Sequence, residues 1–246
     1  MPEGDSLHRA AARLQVLVGQ KVEVETPNPR AAVKRLAERL DGRILERVEA
    51  QGKNLYLSFS GGLLLRSHLR MNGRWRVERR GAERRGTPWL VLRGDEYEAV
   101  QWNGPVLELV TGKRAAAPDI VAEEPEAARF RTTDQRRAVG DALLDQRLVA
   151  GIGNMWKAEA LWEARVSPWR TLAEVSDDEL TAVLEAAHRH MSASVEGARP
   201  LRHVYRRAGR TCHRCGAVIR SAPQGEHART AYWCPGCQVG GNPPAS

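Results

Sequence analysis

The sequence predicts an α+β protein of several domains, in which an antiparallel β-sandwich flanked by helices precedes a helical domain and a small terminal module. Three features of the 246 residues predict it. Short apolar runs separated by glycine and asparagine turns fill residues 44–110, which is typical of an antiparallel sandwich. A helical pattern begins at Asp134, and the last forty residues hold all four cysteines.

Two helices are predicted before the sandwich. Within 5–18, apolar side chains recur with helical spacing, and Gly19 follows where a helix commonly ends. Residues 29–41 show a similar pattern, and Gly42 closes it.

The sandwich region contains six apolar runs of strand length. Asn-Gly, Gly-Gly and Gly-Asp pairs lie between them, as tight turns require. Another turn is predicted at Gln51-Gly52-Lys53-Asn54, and it places Lys53 on a hairpin. The runs are Ile44–Val48, Leu55–Phe59, Leu63–Leu65, Trp75–Val77, Trp89–Leu92 and Val106–Val110.

The second half of the chain predicts helices after a linker. Residues 112–128 are rich in Ala, Pro and Glu without a clear period, and the linker is placed at 115–130. The helices are predicted at Asp134–Val149, Asn154–Ala164 and Asp177–Val195, the last with Ser176 as N-cap and Glu179 completing a capping box. The predicted domains are a sandwich at 1–114, the linker, a helical domain at 131–205 and a cysteine module at 206–246.

The chain is basic, with 38 Lys and Arg against 30 Asp and Glu, a net charge of +8 and a pI near 9.8. Such a surface attracts polyanions and directs attention to nucleic acid. Only five of the cations are lysines. Arginine suits phosphate contacts, but a GC-rich genome would produce the same bias.

The amino-terminal residues predict an intracellular protein. Charged side chains interrupt the first twenty residues, so no signal peptide is visible. No run approaches the roughly 18 apolar residues of a membrane helix. In a reducing compartment, four cysteines are more often metal ligands than disulfides.

The cysteines form two Cys-x-x-Cys pairs with the spacing of a zinc ribbon. Cys212 and Cys215 are separated from Cys234 and Cys237 by 18 residues. Each pair places two sulfurs on one tight turn, and a hairpin between the pairs closes a tetrahedron. Four thiolates leave no open position, so we expect one structural Zn²⁺ that supplies much of the module's folding energy. A redox switch and an iron centre stay open as alternatives.

A glycine turn at 150–154 precedes the second predicted helix of the helical domain. Asn154 is a favoured N-cap residue, and a helix start attracts phosphate through its backbone N–H groups. Lys157 in the first turn would add positive charge. Glycines also mark any sharp turn between helices, so the pattern alone leaves both interpretations open.

The chain begins Met1-Pro2-Glu3-Gly4-Asp5. Initiator methionine is removed before a small second residue, which would expose Pro2 as a secondary amine. An α-amino group titrates at about 7.7–8, so a neutral, nucleophilic fraction exists at physiological pH. Glu3 could protonate a sugar ring oxygen or shuttle protons. The alternative is an ordinary frayed terminus.

Five motifs in this order resemble the formamidopyrimidine-DNA glycosylase/endonuclease VIII family, and they span almost the whole chain. They are Pro2-Glu3-Gly4-Asp5, Gly52-Lys53-Asn54-Leu55, Ser67-His68-Leu69-Arg70-Met71-Asn72-Gly73, Gly151-Ile152-Gly153-Asn154 and the four-cysteine ribbon. The resemblance implies a bifunctional DNA glycosylase and AP lyase of base excision repair that acts on damaged DNA. It also implies a helix–two-turn–helix fold for 131–205. We expect a cytoplasmic, nucleoid-associated monomer.

The resemblance assigns catalytic roles to four residues. Pro2 would displace the base and form the imino intermediate, and Glu3 would donate the proton that helps to open the sugar ring. Lys53 would serve the lyase step and steady a phosphate. Arg229, five residues before Cys234, would grip the backbone and assist the second step of a β,δ-elimination.

Four further residues would contact DNA. Asn154 would bind the phosphate next to the lesion, with Lys157 close by. Met71, with Arg70 beside it, would wedge into the gap that a flipped nucleotide leaves. Without the resemblance, a methionine after a strand is more simply a core residue.

Departures from the family pattern bear on the substrate. The formamidopyrimidine branch carries an Arg-Arg-Phe loop, whereas residues 101–105 read Gln-Trp-Asn-Gly-Pro here. The stretch 196–206 leaves little room for the loop that covers an oxidised purine in that branch. Both departures favour the endonuclease VIII branch and oxidised pyrimidines, although Met71 resembles the purine branch. The family's linker arginine is not assigned, because the region next to Arg114 does not match.

Other functions stay open on the sequence. A non-catalytic zinc-ribbon protein would bind DNA without a covalent adduct, and the combination of Pro2, Glu3 and Lys53 argues against it. A zinc-ribbon structural or interaction protein would lack DNA affinity that falls steeply with salt. The nearest alternative is an enzyme of the same family that acts on oxidised purines.

Overall fold

The computed structural model describes residues 2–113, 117–241 and 243 of the chain. The chain divides into two compact units, Met1–Ala115 and Ala116–Ser246. Arg114 and the first residues of the predicted linker lie outside the described residues. Within the described ranges, no helix is long and apolar enough to cross a membrane.

The first unit is an antiparallel β-sandwich, as predicted. Its strands are β1 Glu23–Glu25, β2 Leu45–Gln51, β3 Asn54–Phe59, β4 Leu63–His68, β5 Arg74–Arg79, β6 Leu90–Arg93, β7 Tyr97–Trp102 and β8 Val106–Val110. One sheet has the order β2-β3-β4-β8 and the other the order β1-β6-β7-β5. Apolar side chains of both sheets share one core with helix α1 (Gly4–Leu14), which buries Leu7 and Leu14 there.

Strand β7 was not predicted from the sequence, because charged and polar residues interrupt its apolar pattern. Glu98 lies within it and is completely buried. Its carboxylate pairs with Arg93 at 3.0 Å and also with Arg84. A buried carboxylate is stable there only because tertiary contacts supply its counter-charges, and no local pattern reveals such contacts. Strand β1 was also missed, since three residues are too few for a periodic signal.

The helices of the first unit are shorter than predicted. Helix α1 ends at Leu14, and residues 15–17 continue as a 3-10 turn. The single helix predicted at 29–41 is wrong, because the structure has two short helices there, α2 Pro29–Ala32 and α3 Leu36–Leu40. Arg35 between them has a φ of 52°. A left-handed residue cannot continue a right-handed helix.

The second unit contains helices α4 Val139–Ala142, α5 Asn154–Glu163 and α6 Asp177–Val195. Helix α6 confirms its prediction, including the capping box, in which the Glu179 N–H donates to Ser176 Oγ at 3.1 Å and the Ser176 N–H donates to the Glu179 carboxylate at 2.9 Å.

The long helix predicted at 134–149 is wrong apart from α4. Ala138 is extended and bridges to Thr171, so the helix starts late. Arg137 also reaches across the short helix to the carboxylates of Asp141 and Asp145 at 2.9 and 3.0 Å. These tertiary contacts stabilise turns on both sides of α4.

The predicted linker is largely structured. From residue 117 the described chain belongs to the second unit, and both Ile120 and Phe130 are buried in its core. Residues 127–132 form a 3-10 helix. Two buried apolar residues that lie ten positions apart give no periodic pattern in a segment rich in Ala, Pro and Glu, so the sequence did not predict this structure.

The terminal module is a two-stranded hairpin, β9 Arg220–Gln224 and β10 Arg229–Trp233. It packs on α5 through a small apolar cluster that includes Trp162, Ile219 and the buried Cys212 and Cys234. The fold class predicted from the sequence is therefore confirmed.

Candidate functional site

Pro2 and Glu3 lie at the start of helix α1. Glu3 occupies the N-cap position, where its carbonyl accepts the Ser6 N–H at 3.0 Å, and only 1% of its surface is exposed. Pro2 is partly buried and lines a cleft of 330 Å³. The structure therefore places a buried carboxylic acid next to a residue that faces an open cavity.

Lys53 occupies the second position of a two-residue hairpin turn between β2 and β3. Gln51 pairs with Asn54, and Gly52 between them has a φ of 56°, a conformation that glycine adopts without strain. The turn predicted from Gly52-Lys53 is confirmed. It presents Lys53 at the end of the sheet.

Arg70 and Met71 lie on the tight loop between β4 and β5. Arg70 has a φ of 51°, and Met71 is 53% exposed, so Met71 is not a core methionine. The Gly73 N–H donates to the Leu69 carbonyl at 2.9 Å. A Cβ on Gly73 would lie 2.5 Å from that same oxygen, so only glycine fits this position.

His68 is a residue of this region to which sequence reasoning gave no role. Its Nδ1 accepts the Arg70 N–H at 3.0 Å. Burial, followed by the charges of Arg70, Arg66 and Lys53, lowers the pKa of His68 to about 4. The cations of the loop and of the Lys53 turn therefore lie near enough to His68 to disfavour its protonation. The position of His68 in the motif at residues 67–73, two residues before Arg70, was the signal for such a role in the sequence.

Asn154 is the first residue of helix α5, and Gly153 is its N-cap rather than Asn154 itself. The Asn154 side chain is 8% exposed and donates from Nδ2 to the Thr230 carbonyl at 2.8 Å. Its Oδ1 is buried without a hydrogen-bond partner in the described part of the chain. The helix start and the β9–β10 hairpin are thus joined directly at this asparagine.

Lys157 lies in the first turn of α5, as the sequence predicted. Only 1% of its surface is exposed, so the residue packs inside the second unit. Such burial does not favour a direct phosphate contact from Lys157.

Arg229 begins strand β10 at the tip of the terminal hairpin, and it is exposed. It directly precedes Thr230, whose carbonyl binds Asn154. The two predicted phosphate ligands of the second unit therefore lie on adjoining segments.

The four cysteines form a compact cluster. Their sulfur atoms all lie within 4.8 Å of one another, with Cys212 and Cys237 3.8 Å apart and Cys215 and Cys234 3.4 Å apart. A tetrahedral zinc ion with Zn–S bonds of about 2.3 Å requires sulfurs about 3.8 Å apart. The four thiols and their close approach are what a tetrahedral metal site requires.

Helix α5 also holds the segment that enters the ribbon, a feature that the sequence did not reveal. The buried carboxylate of Glu159 accepts the backbone N–H groups of His203, Val204 and Tyr205 at 2.7–3.1 Å. Three such bonds satisfy a charge that would otherwise be unstable in the interior. The cysteine module is therefore fixed to the helix that starts at Asn154.

Two family models match the sequence of this chain. Residues 1–140 match the formamidopyrimidine-DNA glycosylase N-terminal domain, and residues 116–203 match the formamidopyrimidine-DNA glycosylase H2TH domain.

The chain belongs to the formamidopyrimidine-DNA glycosylase/endonuclease VIII family.

Similar sequences and structures cover nearly the whole of this glycosylase. The chain is 36% identical to the probable endonuclease 8 2 of Streptomyces coelicolor, over 99% of this chain and 96% of that protein. It is 33% identical to endonuclease 8 1 of Mycobacterium tuberculosis, over 97% of this chain and all of that protein. Among solved structures, Lactococcus lactis Fpg in complex with DNA containing an abasic site superposes with a TM-score of 0.83 at 23% identity. That superposition covers 97% of this chain and 100% of the other, and it supports the fold.

Membership defines the activity at the level of the family. The protein is a DNA glycosylase and AP lyase of base excision repair.

Proposed function

We propose that this glycosylase removes oxidised bases through a Schiff base formed by the amine of Pro2 and then cleaves the strand by β,δ-elimination. The observation that carries the proposal is the position of Pro2, which lines a 330 Å³ cleft beside the buried Glu3. A lesion in duplex DNA is out of reach until its nucleotide is flipped out of the stack.

The proposed glycosylase step starts from the neutral amine. Its nitrogen bonds to C1′ while the bond from C1′ to the base breaks, and the departing base takes up the proton that the amine releases. Glu3 donates a proton to the ring oxygen as the sugar opens, and loss of the amine proton leaves an iminium between Pro2 and C1′. The buried position of Glu3 keeps the donor next to the amine and away from bulk water.

The proposed lyase steps use the iminium as an electron acceptor. Loss of a C2′ proton expels the 3′ phosphate, and a second elimination expels the 5′ phosphate. Lys53 on its hairpin and Arg229 on the terminal hairpin would hold the departing phosphates, and Asn154 would bind the phosphate next to the lesion. Met71 would fill the gap in the stack, with Arg70 beside it.

Borohydride trapping tests this chemistry. Reduction of the iminium should convert the wild-type protein and DNA with an abasic site into a stable covalent complex. Pro2→Gly keeps a primary amine at the terminus but should lose most of the trapping and turnover, because a secondary amine forms the iminium directly. Gly112→Ala, an exposed change that leaves the site alone, serves as the control. Unaltered trapping in Pro2→Gly would place the nucleophile elsewhere.

We further propose a preference for oxidised pyrimidines. The connection between β7 and β8 is the three residues Asn103-Gly104-Pro105, which contain no Arg-Arg-Phe probe of the opposite strand. Endonuclease 8 relatives favour the same branch. Initial rates on duplexes with thymine glycol, dihydrouracil or 8-oxoguanine should be highest for the two pyrimidines. Met71 supports the alternative preference for oxidised purines. Faster removal of 8-oxoguanine than of either pyrimidine would establish that alternative.

We propose that the cysteine cluster binds one structural zinc ion. Four cysteine sulfurs within 4.8 Å of one another support this proposal. When bound, zinc would close the ribbon and leave no ligand position for chemistry. Elemental analysis of the purified protein should find one zinc per chain, whereas iron at the same stoichiometry would contradict the assignment.

A further inference from the structure

An arginine is buried in the first sheet of the sandwich, close to the turn that carries Lys53. Arg66 lies on β4, which has β3 on one side and β8 on the other. Only 7% of its side chain is exposed. The neighbouring Leu65 belongs to the core of the sandwich, so Arg66 points to the opposite face of the sheet. A buried guanidinium group is unstable unless its N–H groups find acceptors.

The guanidinium group of Arg66 joins three strands. Its Nη1 donates to Asn54 Oδ1 on β3 at 3.1 Å, and its Nη2 donates to the Glu108 carboxylate on β8 at 2.6 Å. Glu108 is the direct partner of Arg66 in the β4–β8 ladder. On β3 the direct partner is Tyr56, so Arg66 reaches Asn54 along a diagonal.

Asn54 is the residue that follows Lys53 in the hairpin. The turn closes where Gln51 pairs with Asn54, and Gly52 and Lys53 lie beyond that pair. The bond from Arg66 therefore holds one of the two residues that close the turn, and it ties this residue to an inner strand of the sheet. A turn anchored in this way presents its lysine from one fixed position, as a group that must meet a phosphate requires.

Stability alone does not account for an arginine at this place. Removing a buried ion pair from water offsets most of its Coulombic attraction, and an apolar side chain of similar volume is often as stable. The Nε of Arg66 is also buried without a hydrogen-bond partner among the described residues. What the two N–H bonds of the planar guanidinium supply, and an apolar side chain would not, is a fixed geometry between the turn and the sheet.

We propose that Arg66 is a positioning residue that holds the Lys53 turn in place for the lyase step. It acts through Asn54 on one side and is anchored by Glu108 on the other. The inference rests on the proposed function, because Lys53 is assigned to a departing phosphate there. It adds a residue that none of the five family motifs contains.

A displaced Lys53 should slow strand cleavage and spare the step before it. Borohydride traps the iminium of Pro2, which forms before the phosphates leave. We expect Arg66→Met to cleave abasic DNA about tenfold more slowly in single-turnover experiments, because a shift of about 1 Å in a positioned group has effects of this size or more. The yield of trapped complex should not fall. A general loss of folded protein would lower both.

Two further variants separate positioning from stability. Asn54→Ala removes the same hydrogen bond from its other end and should reproduce the slow cleavage. Arg93→Met is the matched control, because Arg93 is largely buried in the other sheet and bonds the carboxylates of Glu98 and Glu25 at 3.0 and 2.8 Å. Urea unfolding should show a loss of stability in both arginine variants, whereas only Arg66→Met should cleave slowly.

The proposed action through Lys53 is tested by combining two changes. In Lys53→Gln the group to be positioned is absent, so Lys53→Gln/Arg66→Met should cleave no more slowly than Lys53→Gln alone. Losses that multiply in the double variant would show that Arg66 acts elsewhere and would overturn the proposal. Wild-type cleavage by Arg66→Met and Asn54→Ala, together with slow cleavage by Lys53→Gln, would also overturn it.

Hydrogen exchange followed by mass spectrometry keeps this result separate from the proposed function. Amides of residues 51–55 should exchange faster in Arg66→Met and Asn54→Ala than in the wild type or Arg93→Met. Unchanged exchange there would show that Arg66 does not hold the turn. If exchange rises while Lys53→Gln cleaves at the wild-type rate, the turn is held as inferred and the role proposed for Lys53 is wrong. Failure of the wild type to form a trapped complex would contradict only the chemistry proposed for Pro2.

Discussion

At the scale of single residues, the region around the amino terminus combines a buried acid with an open cleft. Glu3 is both the N-cap of α1 and almost completely buried. A side chain held in this way loses little further freedom when a substrate arrives, which favours proton transfer at a fixed distance. Pro2 is the residue next to it in the chain, so helix α1 orients both groups together.

His68 gives a prediction for the pH dependence of stability. Burial and neighbouring cations lower its pKa to about 4 in the folded protein, whereas the pKa of a histidine in the unfolded chain is about 6.5. Between these values the unfolded state binds more protons, so the free energy of unfolding should fall as the pH drops from 6.5 to 4. In His68→Asn this fall should be smaller, as measured by urea unfolding at pH 7 and pH 4.5.

His227→Asn is the control for this experiment, because His227 is exposed on the terminal hairpin. It should follow the wild-type curve. If His68→Asn also follows the wild-type curve, His68 is not the group whose protonation destabilises the fold.

At the scale of elements, the loop between β4 and β5 depends on one glycine. In Gly73→Ala the new Cβ would meet the Leu69 carbonyl at 2.5 Å, so the loop must move. We expect a loss of about tenfold in kcat/KM on duplex DNA, because a shift of about 1 Å in a positioning group has effects of this size or more. Because the role proposed for Met71 is in the base stack, trapping on single-stranded abasic DNA should change much less.

Gly112→Ala is again the matched control, since a Cβ there meets nothing within 4 Å. Equal losses on duplex and single-stranded DNA in Gly73→Ala would show that the loop does not act through the base stack.

The cysteine ribbon gives a second prediction at this scale. The proposed zinc ion would supply much of the folding energy of so small a module, so a strong chelator should unfold β9 and β10 and release the bond between Asn154 and Thr230. Hydrogen exchange followed by mass spectrometry should show faster exchange in 206–241 and little change in the sandwich. Addition of excess zinc should restore the slow exchange of these amides. Reaction of all four thiols while the hairpin amides stay protected would contradict the metal assignment.

Elements with local signals were predictable, and those that depend on distant partners were not. Helix α6 carries its own capping box, and the two-residue turn at Gly52 and Lys53 carries its own glycine. In contrast, β7 depends on ion pairs that neutralise Glu98, and the separation of α2 from α3 depends on one left-handed residue, Arg35. The periodicity of apolar residues reveals neither the ion pairs of Glu98 nor the backbone conformation of Arg35.

The same distinction holds for the candidate site. Residue type and spacing singled out the cysteines, and the order of the family's motifs singled out Pro2 and Lys53 as candidates. The burial of Lys157 and the anchoring role of Glu159 arise from packing around α5. Such roles appear only when the neighbours of a helix are known.

At the scale of the whole molecule, the net charge of +8 predicts binding that responds strongly to salt. Each phosphate neutralised by a cation contributes about 0.9 to the slope of log K against log salt. Lys53→Gln and Arg229→Gln should each reduce that slope by about 0.9, measured by fluorescence anisotropy on a tetrahydrofuran duplex. Arg39→Gln should leave it nearly unchanged. A slope near zero for the wild type would contradict binding that is dominated by phosphate contacts.

The most direct test of the account is mass spectrometry of the active enzyme and its borohydride-trapped complex. The account predicts that the active protein lacks Met1 and that, after proteolysis, the reduced sugar remnant is attached to the nitrogen of Pro2. Full activity in protein that retains Met1, or a remnant attached to Lys53, would contradict it.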